Sequence, residues 1–246
     1  SPRELEIMRR AGRATGKILK ELADVIAAGM TTADIDALAE KKCKEAGVIP
    51  AFKGYKGFPA CICISVNNEV VHGIPNKSRV LKEGDIVGLD FGVICDGYFG
   101  DSAITVPIGK ISEKTQKLLD VTKQSLFEGI AQAKPENRLF DISHAIQKYV
   151  EDHGFSVVRE FVGHGIGKSL HEDPQVPNYG PKGKGLVLKE GMVLALEPMV
   201  NAGGPGVRVE IDGWTAVTSD GSLSAHFEHT IAITANGPEI LTLANA

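Results

Sequence analysis

The segment Leu81-Lys82-Glu83-Gly84-Asp85-Ile86-Val87-Gly88-Leu89-Asp90 returns, with an offset of 188 − 81 = 107 residues, as Leu188-Lys189-Glu190-Gly191-Met192-Val193-Leu194-Ala195-Leu196-Glu197. Each copy is a polar glycine turn feeding an apolar strand that ends in a carboxylate. Each is followed by an Asp-Gly turn, Asp96-Gly97 and Asp220-Gly221. A second acid then opens another apolar strand: Asp101 before Ser102-Ala103-Ile104-Thr105, and Glu228 before His229-Thr230-Ile231-Ala232-Ile233-Thr234. Helical patterns precede both copies. A chain built this way is expected to form two similar halves around a pseudo-twofold axis. No linker or low-complexity stretch divides it, so residues 1–246 are read as one domain.

The helical patterns carry their own punctuation. Ser1-Pro2-Arg3-Glu4 reads as a capping box with proline at the first helical position. Ile7, Ala11, Ala14, Ile18, Leu22 and Val25 follow on one face, up to Gly29. Thr31 opens a second helix closing at Gly47, Ser112 caps a third running to about Ala133, and Asp141 is expected to cap a fourth with Gly154 at its C-cap. Strands are expected at Cys61–Val66, Ile86–Ile94, Tyr98–Val106, Phe155–Val162, Met192–Val200, Val207–Ile211, Trp214–Thr218 and Leu223–Thr234.

Asp90 lies between Leu89 and Phe91, and Glu197 between Leu196 and Pro198. Carboxylates set among apolar strand neighbours point into protein, where an unpartnered charge is costly. A duplicated arrangement brings Asp90, Asp101, Glu197 and Glu228 together near the axis. Four clustered carboxylates repel unless cations intervene, and two divalent ions carry a matching +4. Oxygen-rich ligation with one imidazole suits Mn, Fe(II), Co or Zn in a two-metal hydrolytic site. His164, in Gly163-His164-Gly165-Ile166-Gly167, is the candidate imidazole; His171 and His72 lie in other loops. His144 and His153 read as ordinary helix residues, and His229 should face away from Glu228.

The remaining composition excludes several classes. Lys+Arg minus Asp+Glu is 27 − 31 = −4, which gives no net basic footprint for nonspecific nucleic-acid binding, and no specific nucleic acid is expected as a partner. No apolar run approaches the ~18 residues of a membrane span, and no signal peptide is visible. Four cysteines, with Cys61 and Cys63 one residue apart, suit reduced thiols and a cytoplasmic protein rather than a disulfide scaffold or a zinc knuckle.

The motifs Leu89-Asp90-Phe91-Gly92, Gly100-Asp101-Ser102, Gly163-His164-Gly165-Ile166-Gly167, Leu196-Glu197-Pro198-Met199 and Phe227-Glu228-His229-Thr230 resemble, in order, those of the methionine aminopeptidases, the pita-bread metallopeptidases. The resemblance runs from about residue 3 to 240 and is to the type I branch. It implies an α+β pita-bread fold with a central curved antiparallel sheet covered by helices. It implies two divalent metal ions (Co, Mn, Fe(II) or Zn) on Asp90, Asp101, His164, Glu197 and Glu228. Glu197 would double as general base, His171 would bond the scissile amide or the oxyanion, and His72 would assist at the departing nitrogen. Phe52, Tyr55, Phe58, Cys63 and Trp214 would line a methionine pocket. Phe52, Phe58 and Leu170 stand where the family often has Cys, Tyr and Phe, and His226 stands where Gln is common. The activity implied is removal of the initiator methionine from the N-termini of nascent peptides whose second residue is small. The ribosome is then a candidate partner and a monomer the expected state. Two other readings fit parts of the pattern: a metal-free pita-bread binding protein, and a dipeptidase of other specificity.

Overall fold

The computed structural model describes residues 1–244. Its first half comprises α1 (Pro2–Val25), α2 (Thr32–Ala46), β1 (Ile49–Pro50), β2 (Ile62–Val66), β3 (Glu69–Val71), β4 (Ile86–Cys95) and β5 (Tyr98–Pro107). The second comprises α3 (Glu113–Gln132), α4 (Leu139–Asp152), β6 (Ser156–Val157), β7 (Gly163–Gly165), β8 (Glu172–Val176), β9 (Val193–Leu196), β10 (Met199–Asn201), β11 (Val207–Val209), β12 (Ala216–Thr218), β13 (Ser224–His226), β14 (Glu228–Thr234) and β15 (Gly237–Ile240).

Three helix starts follow the expected caps: Ser1 and Thr31 form capping boxes with Glu4 and Asp34, and Ser112 accepts from the Thr115 N–H. The fourth differs. Asp141 lies inside α4, whose N-cap is Arg138; the Asp141 carboxylate reaches back to accept the Arg138 N–H at 2.8 Å. Arg138 has no side-chain acceptor for the helix, so the acid on the third helical residue satisfies the terminus instead. At the other end His153 is the C-cap, and Gly154 follows it with φ +83°. α1 stops at Val25, short of Gly29, and Val25 itself is about half exposed.

The main sheet runs β1-β4-β5-β14-β9-β7-β8, with β2 beside β4 and β15 beside β14, and every pairing antiparallel. The two copies of the repeat are the pairs β4–β5 and β9–β14, and they meet at β5–β14. That junction has only two residue pairs, Glu228↔Ala103 and His229↔Ser102. Beyond it the Thr230 hydroxyl replaces the ladder: it donates to the Asp101 carbonyl at 2.7 Å and accepts the Asp101 N–H at 3.0 Å.

Alternation divides the faces. Leu89, Phe91 and Val93 of β4 pack with Ile18, Leu22 and Ile35 of α1 and α2. Leu194, Leu196, Ile231 and Ile233 pack with Leu126, Ile142 and Ile146 of α3 and α4. Each half thus buries its own pair of helices against its own strands. The opposite parity, which carries Asp90, Asp101, Ala195, Glu197, Glu228 and Thr230, faces away from both helical layers.

Five expected strands are shorter or interrupted. Phe155–Val162 retains only β6, Val207–Ile211 ends at Val209, and Trp214–Thr218 begins at Ala216. Met192–Val200 is broken at Glu197-Pro198, where proline lacks the N–H a ladder needs, and Leu223–Thr234 is broken at Phe227. At Glu197-Pro198 the chain leaves the main sheet for the small sheet β13-β10-β6, and at Phe227 it returns from the small sheet to the main one. Asp90 and Asp101 lie within β4 and β5 rather than at their ends, because the hairpin at Asp96-Gly97 extends the pair past both acids.

Candidate metal centre

Register explains how the acids converge. Asp90 pairs with Ala103, and Ala103 pairs on its other side with Glu228. Directly paired residues share a face, so one small side chain separates two acids across three strands. Asp101 pairs with Gly92, one step along the same face, which leaves room above it. His164 on β7 pairs with Ala195 of β9, and Glu197 directly follows the end of that strand at Leu196. Glycine and alanine at Gly92, Ala103 and Ala195 therefore keep the centre of this face clear for the larger groups around it.

The result is a cavity of about 190 Å³. It is lined by all twelve residues expected at the site, from Asp90, Asp101, His164, Glu197 and Glu228 through His72 and His171 to Phe52, Tyr55, Phe58, Cys63 and Trp214. Lys56 also lines it and carried no signal in the sequence beyond flanking glycines. Volume alone would direct attention to a groove of about 800 Å³ beside the start of α1. What marks the smaller cavity is the set of titratable groups buried in it.

Burial lifts the Asp90 carboxyl well above its usual range, with the neighbouring Asp101 charge adding to the effect. Burial and the surrounding acids do the same to Glu197 and Glu228. Asp101 is raised by burial, offset in part by the Ser102 N–H. Among the described residues no Lys or Arg ion pair reaches any of the four. Asp90 Oδ1, Asp101 Oδ1 and Glu228 Oε1 are buried without a hydrogen-bond partner.

The imidazole sharpens the point. His164 Nδ1 lies 2.9 Å from the Gly165 carbonyl oxygen, which can only accept. The Nδ1 therefore carries the proton, and Nε2 presents its lone pair. That lone pair faces Glu197 Oε1 at 3.4 Å and Asp101 Oδ2 at 4.0 Å, while burial keeps the ring neutral by lowering its pKa. Acceptors face acceptors, an arrangement that a cation relieves. Donor atoms of Asp101, His164 and Glu228 lie within 4.8 Å of one another, as do those of Glu197, His226 and Glu228. The donor set fits divalent metal.

The organic wall is separate from the acids. Tyr55 stacks on His171 with ring centroids 5.3 Å apart, and its hydroxyl hydrogen-bonds His171 Nδ1 at 2.8 Å. The His171 ring also lies 4.2 Å from that of His164. Phe58 meets Trp214 edge-on at 5.1 Å, and His72 sits edge-on to Trp214 and to Phe161. His72 holds a left-handed backbone, φ +62°, which turns its ring into the cavity just past β3. Burial lowers both His72 and His171 to about 4. Cys63, paired with Asp90, is buried, and its thiol is raised well above its usual value. His229 points the other way, to the Thr242 hydroxyl and the Phe127 ring, as alternation requires.

The methionine aminopeptidase of Clostridium acetobutylicum is 58% identical over 98% of this chain and 96% of its own length. Methionine aminopeptidase 1 of Bacillus subtilis is likewise 58% identical, over 98% and 97%. The crystal structure of methionine aminopeptidase from Thermotoga maritima superposes with a TM-score of 0.97 at 52% identity, covering 99% of this chain and 98% of that one. That structure shares with this chain the curved antiparallel sheet and its helical cover, the pita-bread architecture. The sequence model of metallopeptidase family M24 matches residues 6–235, and the chain belongs to that family.

Proposed function

We propose that this chain is a metal-dependent exopeptidase that removes the initiator methionine from nascent polypeptides whose second residue is small. The observation that carries it is the juxtaposition in one small cavity of a buried four-carboxylate cluster with an aromatic and thiol wall. In this reading Asp90, Asp101, His164, Glu197 and Glu228 hold two divalent ions, drawn from Co, Mn, Fe(II) and Zn. Ions bound there supply Lewis acidity and lower the pKa of water.

The protein's own groups do the rest. Glu197 takes the proton of the attacking water and passes it toward the leaving amine. The Tyr55 hydroxyl, donating to His171 Nδ1, fixes the tautomer in which Nε2–H is free to donate to the scissile carbonyl as charge develops there. His72, held by Trp214 and Phe161, stands ready at the departing nitrogen. Asp90 is the acid assigned to the substrate's free α-amine, which restricts the enzyme to chain ends. Phe52, Phe58, Trp214 and the protonated thiol of Cys63 offer a thioether dispersion and sulfur–aromatic contacts.

A substrate that exists only during translation locates the enzyme in the cytoplasm, with the ribosome a candidate partner and a monomer sufficient for catalysis. Cys43, Cys61, Cys63 and Cys95 are all free thiols, which suits a reducing compartment. No described helix is long and apolar enough to cross a membrane. The test compares Met-Ala-Ser, Met-Lys-Ser and Ala-Pro peptides on metal-loaded protein. Cleavage of Met-Ala-Ser alone is expected. Preference for Ala-Pro would replace this reading with a dipeptidase, and inactivity on all three with a binding protein.

A further inference from the structure

One imidazole beside the acids has no part in the mechanism above. His226 ends β13 and is about 3% exposed, and its Nε2 has no hydrogen-bond partner among the described residues. The backbone beneath it is locked from two sides. Its N–H donates to Thr105 Oγ1 at 2.9 Å, the Thr105 hydroxyl donates back to its carbonyl at 2.9 Å, and Met199 pairs with it across β10. Phe227 belongs to the core cluster of the second half, so His226 and Glu228, two residues apart, share the opposite side.

Glu197 relates the two imidazoles. Its Oε1 lies 3.4 Å from His164 Nε2, and its Oε2 lies 3.8 Å from His226 Nε2. Each oxygen of one carboxylate thus faces a different ring nitrogen. The 3.8 Å separation is too long for a hydrogen bond. It is within reach of a shared ion, since two donors each about 2.1 Å from one metal are at most about 4.2 Å apart. Glu228 completes both groupings, with Asp101 and His164 on one side and with Glu197 and His226 on the other.

We propose that His226 is a sixth metal ligand, giving the second ion an imidazole nitrogen as His164 gives one to the first. This rests on the two-metal reading above. An added imidazole favours Zn, Co and Fe(II) over Mn, because nitrogen donors suit the former and oxygen donors the latter. His226→Gln substitutes an amide oxygen at similar reach, so it exchanges donor type while keeping a polar side chain.

Two readouts that do not depend on turnover test this. Proton NMR of the wild-type protein loaded with Co(II) counts exchangeable imidazole N–H signals displaced by the metal's unpaired electrons; one from His164 and one from His226 are expected. His226→Gln should lose one of them, and calorimetry should show its Co affinity lowered by at least about tenfold, with Mn affinity changed much less. A wild-type spectrum with a single such signal overturns the proposal, as do Co and Mn affinities that fall by equal factors in the variant, the mark of a residue that only orients Glu197. Failure of the wild-type protein to bind two ions would instead overturn the two-metal reading itself. The wild-type spectrum needs no variant, so a misfolded His226→Gln leaves the test intact.

Discussion

Loading the metal-free protein with two divalent ions at pH 7 should release about two to three protons per chain. Asp90, Glu197 and Glu228 are held well above the usual carboxylate range, and Asp101 is raised to about 7. Among the described residues no cation side chain pairs with any of them, so they cannot all be ionised together and must share protons. Ligation requires them all as carboxylates. His164 contributes no proton, because its Nε2 already presents a lone pair to Glu197 and Asp101. Apparent affinity should accordingly fall about two to three decades for each pH unit below neutrality, until the imidazoles also compete. Calorimetric titration with Mn in buffers of different ionisation enthalpy gives the proton count as the slope of heat against that enthalpy. A slope near zero would refute the reasoning, since it would mean the four acids are already ionised without a counter-charge.

His171→Ala should fold, keep its ions and lose about 10²–10³ in kcat, whereas Glu197→Ala should lose both bound metal and turnover; elemental analysis beside kcat for Met-Ala-Ser checks both, and the reverse pattern would require new role assignments. For stability, the raised acids favour the folded state below their unfolded pKa values and lose that contribution as pH rises through the folded ones. His72, His171 and His226, lowered by burial to about 4, 4 and 3, oppose this below about pH 6.5 but drop out above it. Chelated protein should therefore lose melting temperature relative to loaded protein as pH rises from about 7, and parallel profiles would contradict the pKa directions. Gly100→Ala places a methyl 2.8 Å from the Ala11 carbonyl carbon and 2.9 Å from the Gly12 nitrogen, backbone atoms that cannot swing aside. Chemical denaturation should show a loss of roughly 1–3 kcal/mol, and an unchanged midpoint would mean α1 is free to lift from β5.

The residues of the candidate site were more legible in the sequence than the elements around them, and for a physical reason. A carboxylate amid apolar strand residues is costly, so Asp90, Asp101, Glu197 and Glu228 stood out wherever their strands ended. Helix starts at Ser1, Thr31 and Ser112 were legible because hydroxyl caps act within three residues. Asp141 deceived because an acid on the third helical residue and an acid at the N-cap both serve the helix's first turn, although they accept from different backbone N–H groups. The sheet was harder. Apolar runs through Pro198 and Phe227 look continuous, although the chain changes sheets there, and apolarity does not report ladder partners. β7 and β8, made of Gly-His-Gly and Glu-Asp-Pro-Gln-Val, have little strand propensity and are held by neighbours distant in sequence. Lys56 was illegible, since only the fold of the Gly54–Gly57 loop brings it to the cavity. His226 was visible as a departure from the family pattern, but its unpartnered nitrogen beside Glu197 appears only in three dimensions.

The most direct test of the account is a titration of chelated protein with Mn or Co, following bound metal by elemental analysis and Met-Ala-Ser hydrolysis on the same samples. Turnover should be absent without metal, rise with occupancy, and saturate with two ions per chain. Full turnover in protein verified to be metal-free would contradict the account.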